Sequence, residues 1–352
     1  MREVAVVSFA QSVPARRADE FNEVELLMPV VHQAVADSGI PKGEIGFTIS
    51  GSCDYLAGIP FAFVSGLDAV GAWPPISESH VEMDGAWALY EAWVRLQHGD
   101  IDSALVYSFG KSSLGPLTDV LSQQLDPYYL APLWLDSVSV AALQARAWLD
   151  AGHSEEEMAE VVSASRRAAR SNPNTQLAGD PDLKELLAQP YLVDPLRRHD
   201  CPPIGDGAAA VVLAVGDLAR SVSERPAWIT GIDHRIEPHS LGARDLASSA
   251  STREAARRAG VGRGPVDVAE VHAPFSHQVP IVAEALGLDR GVEVNPSGGA
   301  LAANVVMAAG LVRIGEAAAR VSGGSANRAV AHATAGPALQ QNLVCVLEGD
   351  ER

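Results

Sequence analysis

Ala36-Asp37-Ser38-Gly39-Ile40, leading into Glu44-Ile45-Gly46-Phe47-Thr48-Ile49, has a counterpart in the second half of the chain. There Arg257-Arg258-Ala259-Gly260-Val261 leads into Val266-Asp267-Val268-Ala269-Glu270-Val271. Each stretch reads as a helix closed by glycine, a short loop and a β-branched strand. The echo continues downstream. Residues 83–98 place Leu89, Ala92, Trp93 and Leu96 at helical spacing and end at Gly99, before the strand Ser103-Ala104-Leu105-Val106-Tyr107 that reaches Gly110. Residues 300–314 repeat the helix with Val305, Ala308, Ala309, Val312 and Gly315, and Arg328-Ala329-Val330-Ala331 then reaches Gly336. Self-similarity over units of this kind marks one structural unit used twice. Strands alternating with amphipathic helices imply parallel pairing with helices on the sheet faces.

Two units divide the chain into residues 1–220 and 221–352, with Arg220-Ser221-Val222-Ser223-Glu224-Arg225-Pro226 read as a linker within 216–226. Residues 111–200 stand outside the repeat. They are rich in proline, carry helices at about 136–150 and 154–170, and read as an insertion over one face of the core, because Ala208–Val215 must return to the sheet afterwards.

The 352 residues are 47% hydrophobic and 20% charged, a soluble globular composition, and no apolar run approaches the ~20 residues of a spanning helix. The N-terminus reads directly as a first strand, not as a leader. Cys53, Cys201 and Cys345 have neither disulfide nor metal-ligand spacing, and the simplest address is the cytoplasm. A net charge of −18 excludes general affinity for nucleic acid or anionic membranes. An anionic thioester needs a local basic patch, for which Arg166, Arg167, Arg170, Arg197 and Arg198 are candidates beside an ordinary solvated face.

Three strings carry a resemblance. Gly205-Asp206-Gly207-Ala208-Ala209-Ala210 resembles the DGAAA segment that closes the first half of thiolases. Val271-His272-Ala273-Pro274-Phe275-Ser276, with Glu284-Ala285-Leu286-Gly287-Leu288 behind it, resembles the HDCF motif of the thiolase part of sterol carrier protein X. Val294-Asn295-Pro296-Ser297-Gly298-Gly299 resembles the NPSGG that precedes the catalytic GHP of that subfamily. The resemblance implies the thiolase fold, duplicated α/β units in an αβαβα arrangement.

Departures from the family pattern point away from its usual chemistry. Where thiolases present the nucleophilic cysteine, the chain reads Glu82-Met83-Asp84-Gly85-Ala86-Trp87-Ala88-Leu89. The GHP slot falls at Asn304-Val305-Val306, and the C-terminal glycine-rich turn is replaced by His332-Ala333-Thr334-Ala335-Gly336-Pro337-Ala338. A thiolase needs an activated thiolate and a histidine base. An oxyanion hole survives loss of both and stabilises a thioester enolate however it arises. Retro-aldol cleavage of a β-hydroxyacyl-CoA passes through such an enolate and needs only a base and an acid.

The chain is similar in these respects to thiolase-like side-chain lyases of steroid degradation. That implies a steroid-CoA substrate and a small OB-fold/zinc-ribbon partner that would own any zinc; the chain itself is read with no cofactor or metal site. Thiolase resemblance also implies a homodimer core, for which Gly58-Ile59-Pro60-Phe61-Ala62-Phe63-Val64 is a candidate interface or partner-docking surface, an ordinary core helix being the plainer reading.

The site candidates follow. His272 is the expected oxyanion donor, and Glu82 a candidate base or a carboxylate at a helix N-terminus. His332 falls at the C-terminal catalytic turn, Asp84 reads as a dipole partner, and Tyr128 is a candidate phenolate base. Tyr129 beside it could cover substrate, while Asn295, Ser297 and Gly298 are candidate substrate contacts or the makers of a turn. Tyr55, His80 and Lys111 are weaker candidates. Two alternatives stay open: a non-catalytic scaffold subunit of a heteromeric acyl-CoA enzyme, and an acyltransferase that uses Cys53.

Overall fold

The structure is a computed structural model that describes residues 1–350. The first unit runs β1 (Val4–Gln11), α1 (Glu23–Asp37), β2 (Phe47–Gly51), α2 (Asp54–Ala57), α3 (Phe63–Val70), β3 (Glu78–Val81), α4 (Gly85–Leu96) and β4 (Ser103–Gly110). Then come α5 (Leu117–Ser122), α6 (Ser137–Asp150), α7 (Glu155–Ala168) and α8 (Leu183–Leu187), with short strands β5 (Tyr191–Val193), β6 (Leu196–Arg197) and β7 (Ile204–Gly205). β8 (Gly207–Val215) returns to the sheet and α9 (Gly216–Val222) follows. The second unit contains β9 (Ala227–Ile236), α10 (Ala250–Ala259), β10 (Val268–Val271), α11 (Gln278–Leu286) and β11 (Glu293–Val294). It ends with β12 (Asn304–Val305), α12 (Ala309–Ser322), β13 (Arg328–Ala335) and β14 (Gln341–Glu348).

Hydrogen bonding orders the main sheet β11-β10-β13-β14-β9-β1-β8-β4-β2-β3. Read outward from the β1/β9 seam, each half shows the same pattern. Two antiparallel pairings (β1·β8 and β8·β4; β9·β14 and β14·β13) are followed by two parallel ones (β4·β2 and β2·β3; β13·β10 and β10·β11). Within this sheet, among the described residues, Ala5↔Trp228 and Val6↔Ala227 join the halves.

The strand period of two sorts side chains into layers. On β8, Ala209, Val211 and Leu213 face a central core while Ala208, Ala210 and Val212 face an outer one, so the whole strand is buried. The central core holds α4 and α12 between the two half-sheets. α12 is buried around nearly its whole circumference from Ala309 to Ala318, as a middle-layer helix must be. α1 and α3 cover the outer face of the first half, α10 and α11 that of the second. The result is the expected αβαβα stack.

Three expectations change in detail. The helix read over 300–314 begins only at Ala309, because Asn304 and Val305 are committed to pairing with Ile204 and Gly205, and Met307 turns the chain at φ 76°. The stretch expected as a linker includes α9, whose Ala219 is buried against the first half. Gly58–Val64 is no core helix: Ile59, Phe61 and Val64 are exposed. The segment 111–200 contains the two long helices as expected, and α6 packs Ala141, Ala145 and Trp148 over the second unit.

Candidate active site

β2 and β10, and with them β4 and β13, end on one side of the molecule, the carboxyl side of the parallel strands where ligand crevices form. A cavity of about 420 Å³ opens there between the two units. Its floor is His272 after β10, Thr334 near the end of β13, Asn304 and Met307. Leu121 of α5, Leu125 just after it and Val140 of α6 roof it with Phe275, and Cys53, Glu82 and Met83 form the wall on the first unit's side.

His272 and Asn304 act as a pair. The imidazole Nδ1 accepts a long hydrogen bond from the Thr334 N–H at 3.5 Å, which leaves the proton on Nε2 to donate to Asn304 Oδ1 at 3.1 Å. Burial, reinforced by His332 and Arg313, pushes the His272 pKa down to about 3. The ring is therefore neutral at physiological pH, a fixed donor instead of an acid–base group. Asn304 is held from below by the β12·β7 bridge, and among the described residues its Nδ2 has no protein acceptor. Asn304 opens the stretch Asn304-Val305-Val306 in the GHP slot, where Val305 stands at the histidine position.

Asp84 caps α4 through Ala86 N–H (2.8 Å) and also takes the N–H groups of Gly310 (2.9 Å) and Leu311 (3.1 Å) at the start of α12. One carboxylate thus serves both central helices. A Cβ at residue 310 would lie 2.5 Å from Asp84 Oδ1, so the arrangement requires glycine there. Burial raises the Asp84 pKa to about 6 against the opposing pull of its three N–H donors. Its role is structural, as the sequence suggested.

Glu82 lies at the cavity wall but does not cap α4; its Oε1 accepts from the Asp54 N–H at 2.6 Å, at the first turn of α2. Cys53, next to it, also lines the cavity. Burial raises its thiol pKa, the Leu56 N–H opposes this, and the Glu82 carboxylate adds to the rise. The thiol is thereby held protonated, the reverse of what activates a cysteine nucleophile.

The remaining candidates disperse. His332 is fully buried behind the His272 strand, bonded through Nε2 to Asn342 Oδ1 at 3.0 Å, and does not line the cavity. Tyr128 and Tyr129 are 81% and 80% exposed, turned outward by an Asp126 side chain that caps both their N–H groups. Asn295, Ser297 and Gly298 form a buried turn outside the cavity. Asn295 Oδ1 accepts from Val271 N–H at 2.7 Å, Ser297 binds Glu270 through N–H and Oγ, and the Gly298 carbonyl accepts from Ser165 Oγ. None of the three lines the cavity.

Tyr55 is exposed, His80 stacks on Phe63 with ring centres 3.6 Å apart, and Lys111 donates to the Phe21 carbonyl. Of the five candidate arginines, Arg167 pairs with Asp180 and Arg197 with Glu155, and none of the five lines the cavity. Sequence reasoning missed Thr334, Gln278 and the positive role of Asn304. The one signal for Asn304 was a lone amide inside the apolar run Leu301–Met307.

No protein-family profile matches the chain. Its sequence aligns with the acetyl-CoA acetyltransferase of Methanothermobacter thermautotrophicus at 26% identity, covering 96% of this chain and 95% of that protein. It aligns with sterol carrier protein 2 of Gallus gallus at 26% identity, covering 88% of this chain and 64% of that longer protein. Its structure superposes on the Ltp2-ChsH2(DUF35) aldolase with a TM-score of 0.82 at 18% identity, covering 99% and 98% of the two chains.

Proposed function

We propose that the chain is a thiolase-like carbon–carbon lyase that cleaves a β-hydroxyacyl-CoA by a retro-aldol reaction, a reading supported by its similarity to an acetyl-CoA acetyltransferase and sterol carrier protein 2 and by its likeness in fold to an aldolase. The acyl group is a bulky one of the steroid side-chain type, and the products are a ketone or aldehyde and a short acyl-CoA. The observation that carries this reading is the neutral His272–Asn304 donor pair in the same cavity as an exposed carboxylate and a thiol held protonated.

In the proposed step Glu82 accepts the β-hydroxyl proton. The O–H electron pair forms the new C=O, the Cα–Cβ bond breaks, and its electrons move onto the thioester as an enolate. Asn304 Nδ2, fixed by His272, donates to the enolate oxygen; a proton then returns to Cα to give the acyl-CoA. Preorganised donors of this kind contribute about 10²–10³ in rate each. The largely apolar roof from Leu121, Leu125 and Val140 supports a bulky hydrocarbon group. Likeness to the Ltp2-ChsH2(DUF35) aldolase supports a heteromeric assembly; the proposal adds a small OB-fold/zinc-ribbon partner on a homodimer core, with exposed Phe61 as one docking residue. Single Glu82→Ala and His272→Ala variants test the mechanism. Turnover lowered by each supports it, and turnover untouched by both rejects it.

A second reading, acyl transfer through Cys53, is favoured by the place of that thiol in the cavity and by the acetyltransferase relative. Iodoacetamide separates the two: inactivation with alkylation of Cys53 supports acyl transfer, and full lyase turnover retained after alkylation of Cys53 excludes it.

A further inference from the structure

The cavity wall from Gly336 to Leu339 adopts a backbone that its sequence resists. Ala338 and Leu339 are successive non-glycine residues at φ 52° and 58°, preceded by Gly336 at φ 73°. Such left-handed non-glycine residues are strained and persist only where the surroundings over-determine them. Here the surroundings are specific. Arg244 Nη2 donates to the Pro337 carbonyl at 3.0 Å and Nη1 to the Ala338 carbonyl at 3.1 Å. The fully buried Gln144 adds a longer bond to Ala338 at 3.4 Å, and Asn342 Nδ2 holds the Leu339 carbonyl at 2.8 Å. The Gln340 carbonyl accepts from the Glu237 N–H at 2.8 Å.

All four carbonyls are therefore drawn into the protein. Gly336, Pro337, Ala338 and Leu339 all line the cavity. Among the described residues no protein acceptor takes the N–H of Gly336, Ala338 or Leu339.

We propose that Arg244 is a positioning residue: its forked guanidinium fixes the Gly336–Leu339 turn so that its N–H groups face the thioester oxygen across the cavity from Asn304. The fork matters because two parallel N–H donors meet two successive carbonyls, which a lysine point charge cannot do. Arg244 touches no reacting atom; it acts through the turn. The catalytic consequence rests on the lyase reading, whereas the effect on the turn does not.

The test uses the full chain with Arg244→Met and Arg244→Lys, and the double variant Arg244→Met/Ala338→Gly. Amide hydrogen exchange of residues 334–341 is measured without substrate, beside kcat and KM for a β-hydroxyacyl-CoA. We expect exchange in this segment alone to quicken at least tenfold in both single variants, and kcat to fall about 10²-fold with KM within threefold. Glycine at 338 accepts the left-handed backbone freely, so the double variant is expected to recover at least tenfold of the lost kcat. Quickened exchange in a protein whose wild type has no lyase turnover would keep the positioning role and remove the functional reading. Exchange unchanged in both single variants would overturn the positioning role, whatever the turnover. Should Arg244→Met not fold, Arg244→Lys alone decides by the same readout.

Discussion

At the residue scale, the proposed chemistry depends on the amide of Asn304, next to Val305 in the position where the resemblance places the GHP imidazole. His272 holds Asn304, and neither can trade a proton near neutral pH because burial keeps the imidazole pKa near 3. Asn304→Ala is expected to lower kcat by about 10²–10³ with little change in KM, since the donor acts on the developing enolate charge. Steady-state kinetics on a β-hydroxyacyl-CoA check this, and an unchanged kcat would remove Asn304 from the site. The imidazole of His272, followed by NMR, is expected to show no protonation between pH 5 and 8. Glu82 and His272, singled out in the sequence, line the cavity, and so does Asn304. Position in the sequence could not show that Tyr128 and Tyr129 point outward, because that orientation is set by Asp126 and by the fold of the loop, not by any local pattern.

At the scale of elements, the duplicated unit was legible because each helix, glycine stop and strand repeats a local chemistry. What was not legible is how the two copies meet. Asp84 joins the N-termini of α4 and α12, a contact between residues far apart in sequence, and no periodicity announces it. The NPSGG turn shows the same limit. Its motif was visible, yet its polar atoms are spent on Glu270, itself fully buried and paired with Arg313 at 2.9 Å. Removing one partner of such a pair strands the other, so Arg313→Met is expected to cost about 3–5 kcal/mol. Chemical denaturation would read this as a lower midpoint. A loss under 1 kcal/mol would show that the pair does not hold the turn.

At the scale of the whole molecule, burial of histidines couples folding to pH. His272 and His277 are pushed to about 3 and His332 to about 4, while an unfolded histidine titrates near ~6.5. Between those values the unfolded chain binds protons that the native state refuses. Their contribution is therefore full above pH ~6.5 and is lost as pH falls toward the folded values. Asp84, raised to about 6, has the opposite sign: its contribution is present at low pH and lost as pH rises through 6. Three histidines against Asp84 and the likewise raised Glu270 leave acid as the destabilising direction. His277 lies outside the cavity, and His277→Gln is expected to flatten the stability–pH slope between pH ~4 and ~6 by about 1.4 kcal/mol per pH unit. Urea titrations across that range measure it, and an unaltered slope would mean that His277 does not resist protonation.

The same scale carries the central claim, that a thiolase fold here cleaves a carbon–carbon bond without an acyl-cysteine. The most direct test is mass spectrometry of the acyl-CoA products after incubation with a β-hydroxy steroid side-chain CoA. It is run with and without a co-expressed OB-fold partner, beside an acetoacetyl-CoA thiolysis control. The account predicts release of a short acyl-CoA with no free coenzyme A added and no thiolysis in the control. Thiolysis of acetoacetyl-CoA, with an acetyl group trapped on Cys53, would contradict it.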